Sequence, residues 1–590
     1  MYGQKGKDYM RKIRIKNYLT SGFLIFLCAI SSSVFAVTPP ITPEAVKNSL
    51  PASTEPGVIS NIISSQLPQT PASLPSVKKP QEQPSSLGPK AAQIKFELKK
   101  VILEGNHVYS DQVLEKVFKN KLNTEISVAE LQGIAQDVTN YYRNNGYILT
   151  RAILPPQHVQ NGIVRIKVIE GYIDHVNVIG FPKGAKKLIQ AFGDKIAQSR
   201  PLQISVMEHY LRVANEVPGL QVRAVLEPSK TNTGASELNL SANEQTFSGS
   251  FSYDNYGTRY IGPNQDTLSA SLNSIFLSGD TTHATYVTTT NPSELKFYDV
   301  SYRAYLGSSG LAGTLGKNNS KTMPGFTLAI LQIQGDSSTY YGLLEYPVWR
   351  TQSSNLSLDG GFNYLDSTVT SFQIPLYTDH IRSLKFGGNY DFADRFKGSN
   401  LISLHAEHGF NIAGASNDPT STTTSRFGAD GIYTKLNAQY ARSQPIYGRF
   451  SLFFIANAQY AKDPLLTSVQ FTVGGNQLGR GYDPAEIIGD KGVSGSLELR
   501  MDMAPGWFIL QSLQPYLFYD GGEIWNLKGL PGIDSKDSIT STGFGSRFVF
   551  SNHLNGNLMF TQPLTKVVAA ENLIGRGRKP RVFFSIVASV

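Results

Sequence analysis

Cysteine is almost absent from this chain of 590 residues, since the only one is Cys28. That cysteine falls in a segment that we expect to be removed, so the mature chain has no thiolate for a disulfide, a metal site or catalysis. It also has nothing to misoxidise in an oxidising compartment. Charged residues are few as well (17%), whereas Gly (53), Tyr (29) and Phe (31) are plentiful. This composition favours strands and turns over helices.

Three kinds of site are missing from the sequence. The net charge of +9 would suit nucleic acid, but no basic run is interleaved with aromatic residues, so we predict no nucleic-acid partner. His405 and His408 fall in a strand-like stretch, where residues three apart point to opposite faces, so no metal site is predicted. Residues 313–317 lack the spacing of a phosphate loop, and no nucleophile motif is present. We therefore predict no cofactor and no enzymatic activity.

The chain has no apolar run long enough for a membrane-spanning helix, and its amino-terminal segment has only a short one. Residues 5–16 are basic, a short apolar run lies around residues 23–30, and small residues end at Ala36. This order predicts a secretory signal peptide over residues 1–36, with translation starting at Met1 or Met10. The apolar run is about ten residues, short of the ~20 that a membrane-spanning helix needs. We expect the protein to be exported and to enter any membrane as strands.

The mature chain divides by composition into three parts. Residues 37–93 are rich in Pro, Ser, Thr and Gln and predict an extended linker, with a weak amphipathic helix pattern between Pro43 and Leu67. Residues 94–172 and 173–245 each show a β-α-α-β-β order. The predicted strands are 96–103, 147–154, 163–169, 175–179, 220–227 and 237–243, and the predicted helices are 110–119, 127–144, 183–197 and 205–216. Ser127 and Glu130 have the spacing of a capping box.

Residues 246–590 contain short alternating strands separated by Gly, Asn, Asp and Ser. In residues 494–503 one face is Ser, Ser, Glu, Arg and Asp, and the other is Gly, Leu, Leu, Met and Met. A membrane barrel would turn the apolar face to lipid and the polar face to a wet lumen, whereas a soluble sandwich or propeller would bury the apolar face. We count about sixteen such strands, and closure would remove their exposed edges. Together with the export signal, this pattern favours a barrel in the outer membrane.

Several motifs resemble one family. Residues 142–157 and 162–171 are similar to the first POTRA domain of two-partner secretion transporters, also called haemolysin secretion/activation proteins (the TpsB family). Residues 254–257 resemble the start of that family's barrel. Similar barrel motifs follow in family order: Gly474-Gly475, Arg480-Gly481-Tyr482, Gly489-Asp490-Lys491-Gly492, Glu498-Leu499-Arg500 and Phe518-Tyr519-Asp520-Gly521-Gly522.

The resemblance implies a fold and a candidate site. The fold is an all-β transmembrane barrel of about sixteen antiparallel strands, preceded by two small α+β POTRA domains. Arg480, Gly481 and Tyr482 would form the tip of a long loop that folds back into the barrel, where Arg480 would reach Asp520. Gly474, Gly475, Glu498 and Arg500 belong to the same barrel motif. Members also carry a plug helix near the amino terminus, which residues 37–93 do not clearly show.

The resemblance also implies a function. An outer-membrane transporter with POTRA domains in the periplasm would secrete one large exoprotein, bound in unfolded form, through its pore. Outer-membrane lipid and the barrel assembly machinery would be its other partners. Exposed sheet edges of the small domains would add the exoprotein as a strand; the residues expected there are Ile148, Thr150, Ala152, Leu154, Val222 and Ala224. The alternatives are a factor that inserts other barrels and a passive porin or adhesin; a neighbouring gene for a very large exported protein would favour secretion.

Overall fold

The structure is a computed structural model that describes residues 43–66, 89–506, 509–527 and 535–590. The predicted signal peptide (1–36) lies outside the described residues, as do residues 37–42 and 67–88 of the predicted linker (37–93). The helices are α1 (Pro43–Ser49), α2 (Pro56–Gln66), α3 (Asp111–Phe118), α4 (Val128–Asn144), α5 (Lys186–Ala197), α6 (Ile204–Asn215) and α7 (Ala569–Asn572). No helix within these ranges is long and apolar enough to cross a membrane.

Eight strands precede the barrel and form two small domains. They are β1 (Lys95–Leu98), β2 (Lys100–Glu104), β3 (Thr124–Ser127), β4 (Arg151–Ile153), β5 (Ile163–Ile169), β6 (Tyr172–Gly180), β7 (Leu220–Pro228) and β8 (Ala235–Glu244). We call the unit of β1–β5 with α3 and α4 the first docking domain. The unit of β6–β8 with α5 and α6 is the second docking domain.

The first docking domain packs its helices on a three-stranded sheet of order β2-β5-β4. The capping box predicted at Ser127 and Glu130 is present at the start of α4. Glu170 accepts hydrogen bonds from the Tyr142 hydroxyl and the Val108 amide, both at 2.8 Å. Burial and this hydrogen bond raise the pKa of Tyr142 far above its usual range, so the phenol stays protonated and keeps donating.

Two strand predictions for the first docking domain are wrong. The predicted strand 96–103 is two strands, because β1 pairs with β3 whereas β2 pairs with β5. The predicted strand 147–154 is reduced to β4, because a turn precedes it in which the Thr150 amide donates to the Tyr147 carbonyl. In this turn Ile148 and Leu149 pack against the core of the second docking domain. A contact between domains has overridden local strand propensity here.

The second docking domain has the sheet order β6-β8-β7, so β7 is an edge strand. Its core packs against the near end of the barrel, by which we mean the end that carries the docking domains. The Arg350 guanidinium donates to both carboxylate oxygens of Glu216, at 2.5 and 3.2 Å. Burial and the nearby Arg350 charge lower the pKa of His209, so this imidazole is neutral at neutral pH. The contacts between Arg350 and Glu216 thus attach the second docking domain to the near end of the barrel.

The remaining strands build the barrel and a hairpin inside it. They are β9 (Phe247–Asp254), β10 (Gln265–Asn273), β11 (Thr281–Thr289), β12 (Leu295–Tyr305), β13 (Ala312–Thr322), β14 (Ile333–Arg350), β15 (Ser354–Ser371), β16 (Ile374–Ala393), β17 (Ser399–Gly409), β18 (Thr434–Tyr447), β19 (Phe450–Ala461), β20 (Phe471–Val473), β21 (Ile487–Gly489), β22 (Lys491–Met501), β23 (Ser512–Trp525), β24 (Lys536–Ser551), β25 (Leu554–Pro563) and β26 (Arg581–Ser589). Of these strands, β20 and β21 are not part of the barrel wall. They pair with each other and form the hairpin inside the barrel.

The barrel is closed and antiparallel. Within the described ranges sixteen strands form its wall, and β26 pairs with β9 to close it, which confirms the predicted fold class. Along β22 the side chains of Leu497 and Leu499 are exposed, whereas those of Ser496 and Glu498 are buried. The apolar face therefore points outward and the polar face inward, as expected for a wall between lipid and a polar lumen.

Helices α1 and α2 lie inside this barrel and are called the plug here. Ile59 and Ile63 of α2 pack against Val287, Leu295 and Phe297. These three wall residues point opposite to the exposed Tyr286 and Tyr298, which lie on the outer face. The plug therefore fills part of the lumen, although only a weak helix pattern is present in this part of the sequence.

Candidate functional site

The hairpin between β19 and β22 folds back into the lumen, and two glycines shape its tip. Gly474 and Gly475 follow β20 with φ angles of +121° and +101°. A Cβ atom on Gly474 would lie 2.2 Å from the Asp483 carbonyl oxygen. The backbone closes the tip through hydrogen bonds from the amides of Gly474 and Tyr482. Only glycine fits position 474, since both the backbone angle and the close approach exclude a side chain.

Arg480 anchors the tip of the hairpin to the barrel wall. Its Nε and Nη2 atoms donate to the two carboxylate oxygens of Asp520, at 2.9 and 2.7 Å. The Arg480 backbone amide donates to the same carboxylate at 3.0 Å. Asp520 is 0% exposed, and the guanidinium carbon lies 3.6 Å from the centroid of the Phe518 ring. A buried bidentate pair stacked on an aromatic face fixes the direction as well as the position of the arginine.

Glu498 extends this anchor into a network of ion pairs. It accepts from Arg480 Nη1 at 2.5 Å, from Arg500 Nε at 2.6 Å and from Arg547 Nη2 at 3.1 Å. Removing any one arginine would leave the others on Glu498. Asp520, in contrast, has Arg480 as its only cationic partner among the described residues. The buried charge of Asp520 is therefore left unpaired when the hairpin leaves its place in the lumen.

The neighbours of Arg480 hold the tip from a second side. The Tyr482 side chain is buried, and its hydroxyl accepts from the Lys566 amide at 3.0 Å. Asp483 accepts from Thr258 Oγ1 at 2.8 Å and from Arg581 at 2.6 Å. A Cβ atom on Gly481 would meet Ser541 Cβ at 2.8 Å. The structure thus brings together all four residues of the predicted loop anchor.

Some anchoring residues were not foreseen from the sequence. Asp483 follows the quoted Arg480-Gly481-Tyr482 motif directly, and Arg581 opens the last strand, but nothing in the sequence joins them. Asp490 lay in a quoted motif, yet its partner Arg426 comes from the loop after β17, 64 residues away in the chain. Charged residues inside barrel motifs are a usable signal, because each needs a partner when it is buried.

The plug contacts both the wall and the hairpin through uncharged hydrogen bonds and one lysine. Ser60 Oγ donates to Asn318 Oδ1 of β13 at 2.8 Å, and Asn61 donates to the Ser468 carbonyl at 2.7 Å. Lys47 Nζ donates to the carbonyls of Thr422 and Thr424, both at 3.1 Å. Among the described residues, none of the plug's contacts is an Arg–carboxylate pair of the kind that holds the hairpin.

The predicted edge residues of the docking domains point inward. Ile148 and Thr150 lie in the turn before β4, and Leu154 lies just after it, so only Ala152 is in the strand. Val222 is buried and Ala224 is half-buried in β7, on the core face. Side chains that a partner could contact on these strands are instead the exposed Ile153 and Val225. Alternation along a strand makes the core-facing residues poor contacts, although the backbone edge remains available.

Comparison with known proteins identifies the family. The sequence profile of the haemolysin secretion/activation proteins ShlB/FhaC/HecB matches residues 234–548, more than half of the chain. A second profile, the ShlB-type POTRA domain, matches residues 96–171, in the first docking domain. The chain belongs to the haemolysin secretion/activation protein family. The family predicted from the sequence motifs is thereby confirmed.

Relatives extend over most of the chain. The heme/hemopexin transporter protein HuxB of Haemophilus influenzae (strain 86-028NP) is 24% identical over 505 residues, which cover 84% of this chain and 87% of that protein. The outer membrane transporter CdiB of Dickeya dadantii (strain 3937) is 23% identical over 425 residues, 69% of this chain and 72% of that protein. The solved structure of CdiB from Escherichia coli has the same fold, with a TM-score of 0.71 at 18% identity, covering 91% of this chain and 99% of that one.

Family membership settles the function and the location predicted from the sequence. Members of the haemolysin secretion/activation protein family are outer-membrane transporters of two-partner secretion, and their POTRA domains lie in the periplasm. The near end of the barrel is therefore the periplasmic end, and the lumen leads from the docking domains to the cell exterior.

A substitution at the hairpin tip shows how strictly its backbone is needed. We expect Gly474→Ala to lower secretion by about tenfold or more, because a strained backbone costs about 1–3 kcal/mol even before the clash with Asp483. Gly448→Ala is the matched control, since Gly448 also has a positive φ (+56°) but has open space around it. Secreted exoprotein in the medium is measured against barrel level in the membrane. Equal secretion by both variants would contradict this role of Gly474.

Proposed function

We propose that this transporter binds one large exoprotein in unfolded form at the edge of the second docking domain and passes it through the barrel lumen after the plug has left. The observation that carries the proposal is the contrast between the two lumen elements. The hairpin is held by buried ion pairs, whereas the plug is held by hydrogen bonds from Ser60, Asn61 and Lys47, with no Arg–carboxylate pair among the described residues. Secretion thus requires the plug to move while Arg480 keeps the hairpin seated.

Energetics support this order of events. A hydrogen bond between neutral groups contributes about 0.5–1.5 kcal/mol net, whereas breaking a buried ion pair by removing one partner costs about 3–5 kcal/mol. The plug helices have seven and eleven residues, and neither pairs with a wall strand. In a wet lumen their polar contacts can be exchanged for water, so the main cost of releasing the plug is the exposure of apolar side chains such as Ile59 and Ile63.

The docking edge follows from the sheet order of the second docking domain. β7 is nine residues long and lies at the edge, whereas β4 of the first docking domain has only three. A longer edge offers more free backbone groups to an extended polypeptide, which adds as a further strand. The contacts between Glu216 and Arg350 keep this edge at the entrance of the barrel. An exoprotein segment bound there would be presented to the lumen.

Photo-crosslinking tests the docking edge. A photoreactive amino acid in place of Val225, which is exposed on β7, is expected to crosslink to the purified amino-terminal part of the exoprotein. The same residue in place of Asp194, exposed on helix α5, is the control and is expected to give no product. The full-length transporter in detergent is used for both. Crosslinking at position 194 but not at 225 would overturn the proposed edge.

The proposal includes no catalytic step and no cofactor. The sequence has no nucleotide-binding motif, so we propose that folding of the exoprotein outside the cell supplies the driving force. The barrel itself would reach the outer membrane through the barrel assembly machinery, as expected for a closed sheet that must be completed in lipid.

A further inference from the structure

The loop of residues 181–187 in the second docking domain carries a solvent-exposed aromatic side chain. Phe181 is 83% exposed. It directly follows Gly180, whose φ of +96° makes a sharp turn at the end of β6. The Phe181 amide donates to the Ala242 carbonyl at 3.3 Å, which fixes the backbone at this point. Exposing most of a phenylalanine ring to water costs free energy. Contact with an apolar partner would remove this cost.

This loop is attached to a periplasmic turn of the barrel, the turn of residues 274–280 between β10 and β11. Ser278 Oγ donates to the Gly184 carbonyl at 2.8 Å and accepts from the Leu188 amide at 3.1 Å. The two backbones are so close that a Cβ atom on Gly184 would lie 2.2 Å from the Ser274 carbonyl oxygen. Loop and turn therefore form one continuous surface.

The turn itself carries exposed apolar side chains that continue the outer face of the barrel. Ile275, Phe276 and Leu277 are all exposed, Phe276 to 72%. The Phe276 ring centroid lies 6.3 Å from that of Tyr302, which is in register with the outward-facing Tyr298 and Val300 of β12. Exposed apolar residues recur at other periplasmic turns of the barrel, namely Leu306, Phe396, Ile446 and Tyr447. Such a ring of residues marks the membrane interface of a barrel.

Positive charge accompanies this apolar surface. Lys183, Lys186 and Lys187 are exposed in the loop and in the first turn of α5. Cations at a helix amino terminus are unfavourable for the helix, because that end carries partial positive charge. Nearby carboxylates are occupied by backbone groups, since Glu244 accepts from the amides of Gly184 and Ala185 and Asp280 accepts from those of Phe276 and Leu277. Three lysines stand beside two carboxylates here, so this surface has an excess of positive charge next to an apolar ring.

We propose that the loop of residues 181–187 is a membrane-binding site for anionic phospholipid of the periplasmic leaflet. Phe181 inserts at the level of the aromatic girdle, and Lys183, Lys186 and Lys187 contact lipid phosphates. This contact orients the second docking domain against the membrane and leaves its β7 edge facing the periplasm. Lipid binding of this kind holds whether or not β7 is the edge that takes up the exoprotein.

Site-directed spin labelling of the full-length chain tests the proposal. Cys28 is the only cysteine of the chain and lies in the predicted signal peptide, so Phe181→Cys gives the mature chain a single labelling site. In nanodiscs that contain phosphatidylglycerol, the label at 181 is expected to collide more with oxygen dissolved in lipid than with a water-soluble nickel chelate. Thr233→Cys, exposed in the turn at the other end of the β7–β8 hairpin, is the matched control and is expected to show the reverse.

The lysines are tested in the same chain. Replacing Lys183, Lys186 and Lys187 together with glutamine is expected to shift the label at 181 towards the nickel chelate, while heat-modifiable gel mobility shows an intact barrel. A label at 181 that is as accessible to the chelate as the label at 233 would overturn the proposal. So would immersion unchanged by the triple substitution, or protection of the label only when exoprotein is added, which would assign the surface to the exoprotein instead.

Discussion

Replacing Arg480 with alanine is expected to abolish most secretion while the barrel still inserts into the membrane. The substitution removes the only cationic partner that Asp520 has in the described part of the chain, and the Asp520 carboxylate is fully buried. Loss of one partner of such a pair costs about 3–5 kcal/mol, and each 1.4 kcal/mol is about tenfold, so the equilibrium constant for seating the hairpin falls about 100-fold or more. Exoprotein in the medium, normalised to barrel level, measures the effect.

Two further variants separate the geometry of the anchor from its charge. Arg480→Lys keeps the charge but cannot form the bidentate contact and the stacking on Phe518, so we expect it to lose most of its secretion too. Arg576→Ala, at an exposed site in the loop after β25, is the control and is expected to secrete normally. Wild-type secretion by Arg480→Ala would end this account of the hairpin.

A covalent link between plug and wall is expected to stop secretion reversibly. Ser60 of the plug and Asn318 of β13 face each other through a hydrogen bond of 2.8 Å between their side chains. With Ser60→Cys and Asn318→Cys in one chain, oxidation or a short thiol crosslinker holds the plug in the lumen, and a reductant releases it. We expect secretion to fall to background when linked and to recover on reduction, because an extended chain and the plug cannot share the lumen.

The single cysteine variants are the controls for this experiment. Ser60→Cys and Asn318→Cys alone lose the same hydrogen bond but cannot form the link, and the chain after the predicted signal peptide has no other cysteine to interfere. Both are expected to secrete under oxidising conditions. If the linked double variant secretes as well as the single ones, the exoprotein passes a plugged lumen or another route, and release of the plug is not required.

The barrel was predictable because lipid imposes a simple rule on its wall. Residues such as Leu497 and Leu517 must face hydrocarbon, and their neighbours Glu498 and Phe518 face the lumen, so alternation in the sequence gives strand and face together. Anchor residues Arg480 and Asp520 were foreseen only from family motifs, since their separation of 40 residues carries no local signal.

The parts that were missed depend on contacts between elements. The plug helix α2 is uncharged and rich in Ser and Ile. Because it lies between the barrel wall and the hairpin, neither water nor lipid imposes a clear amphipathic pattern on it. The predicted strand 147–154 is wrong because Leu149 packs so closely on Gly171 that a Cβ there would lie 2.6 Å from the Leu149 carbonyl oxygen. Tertiary contacts of this kind leave no periodicity in the sequence.

The most direct test of the account is to ask which face of the wall an exoprotein touches during export. An exoprotein fused to a stably folded domain arrests in the transporter, and a photoreactive residue replaces either Thr285 or Tyr286 of β11. These neighbours differ only in face, since Thr285 is buried on the lumen side and Tyr286 is exposed to lipid. Crosslinking at position 285 and none at 286 is predicted. Crosslinking at 286 alone, or at neither position with the exoprotein arrested, would contradict passage through this lumen.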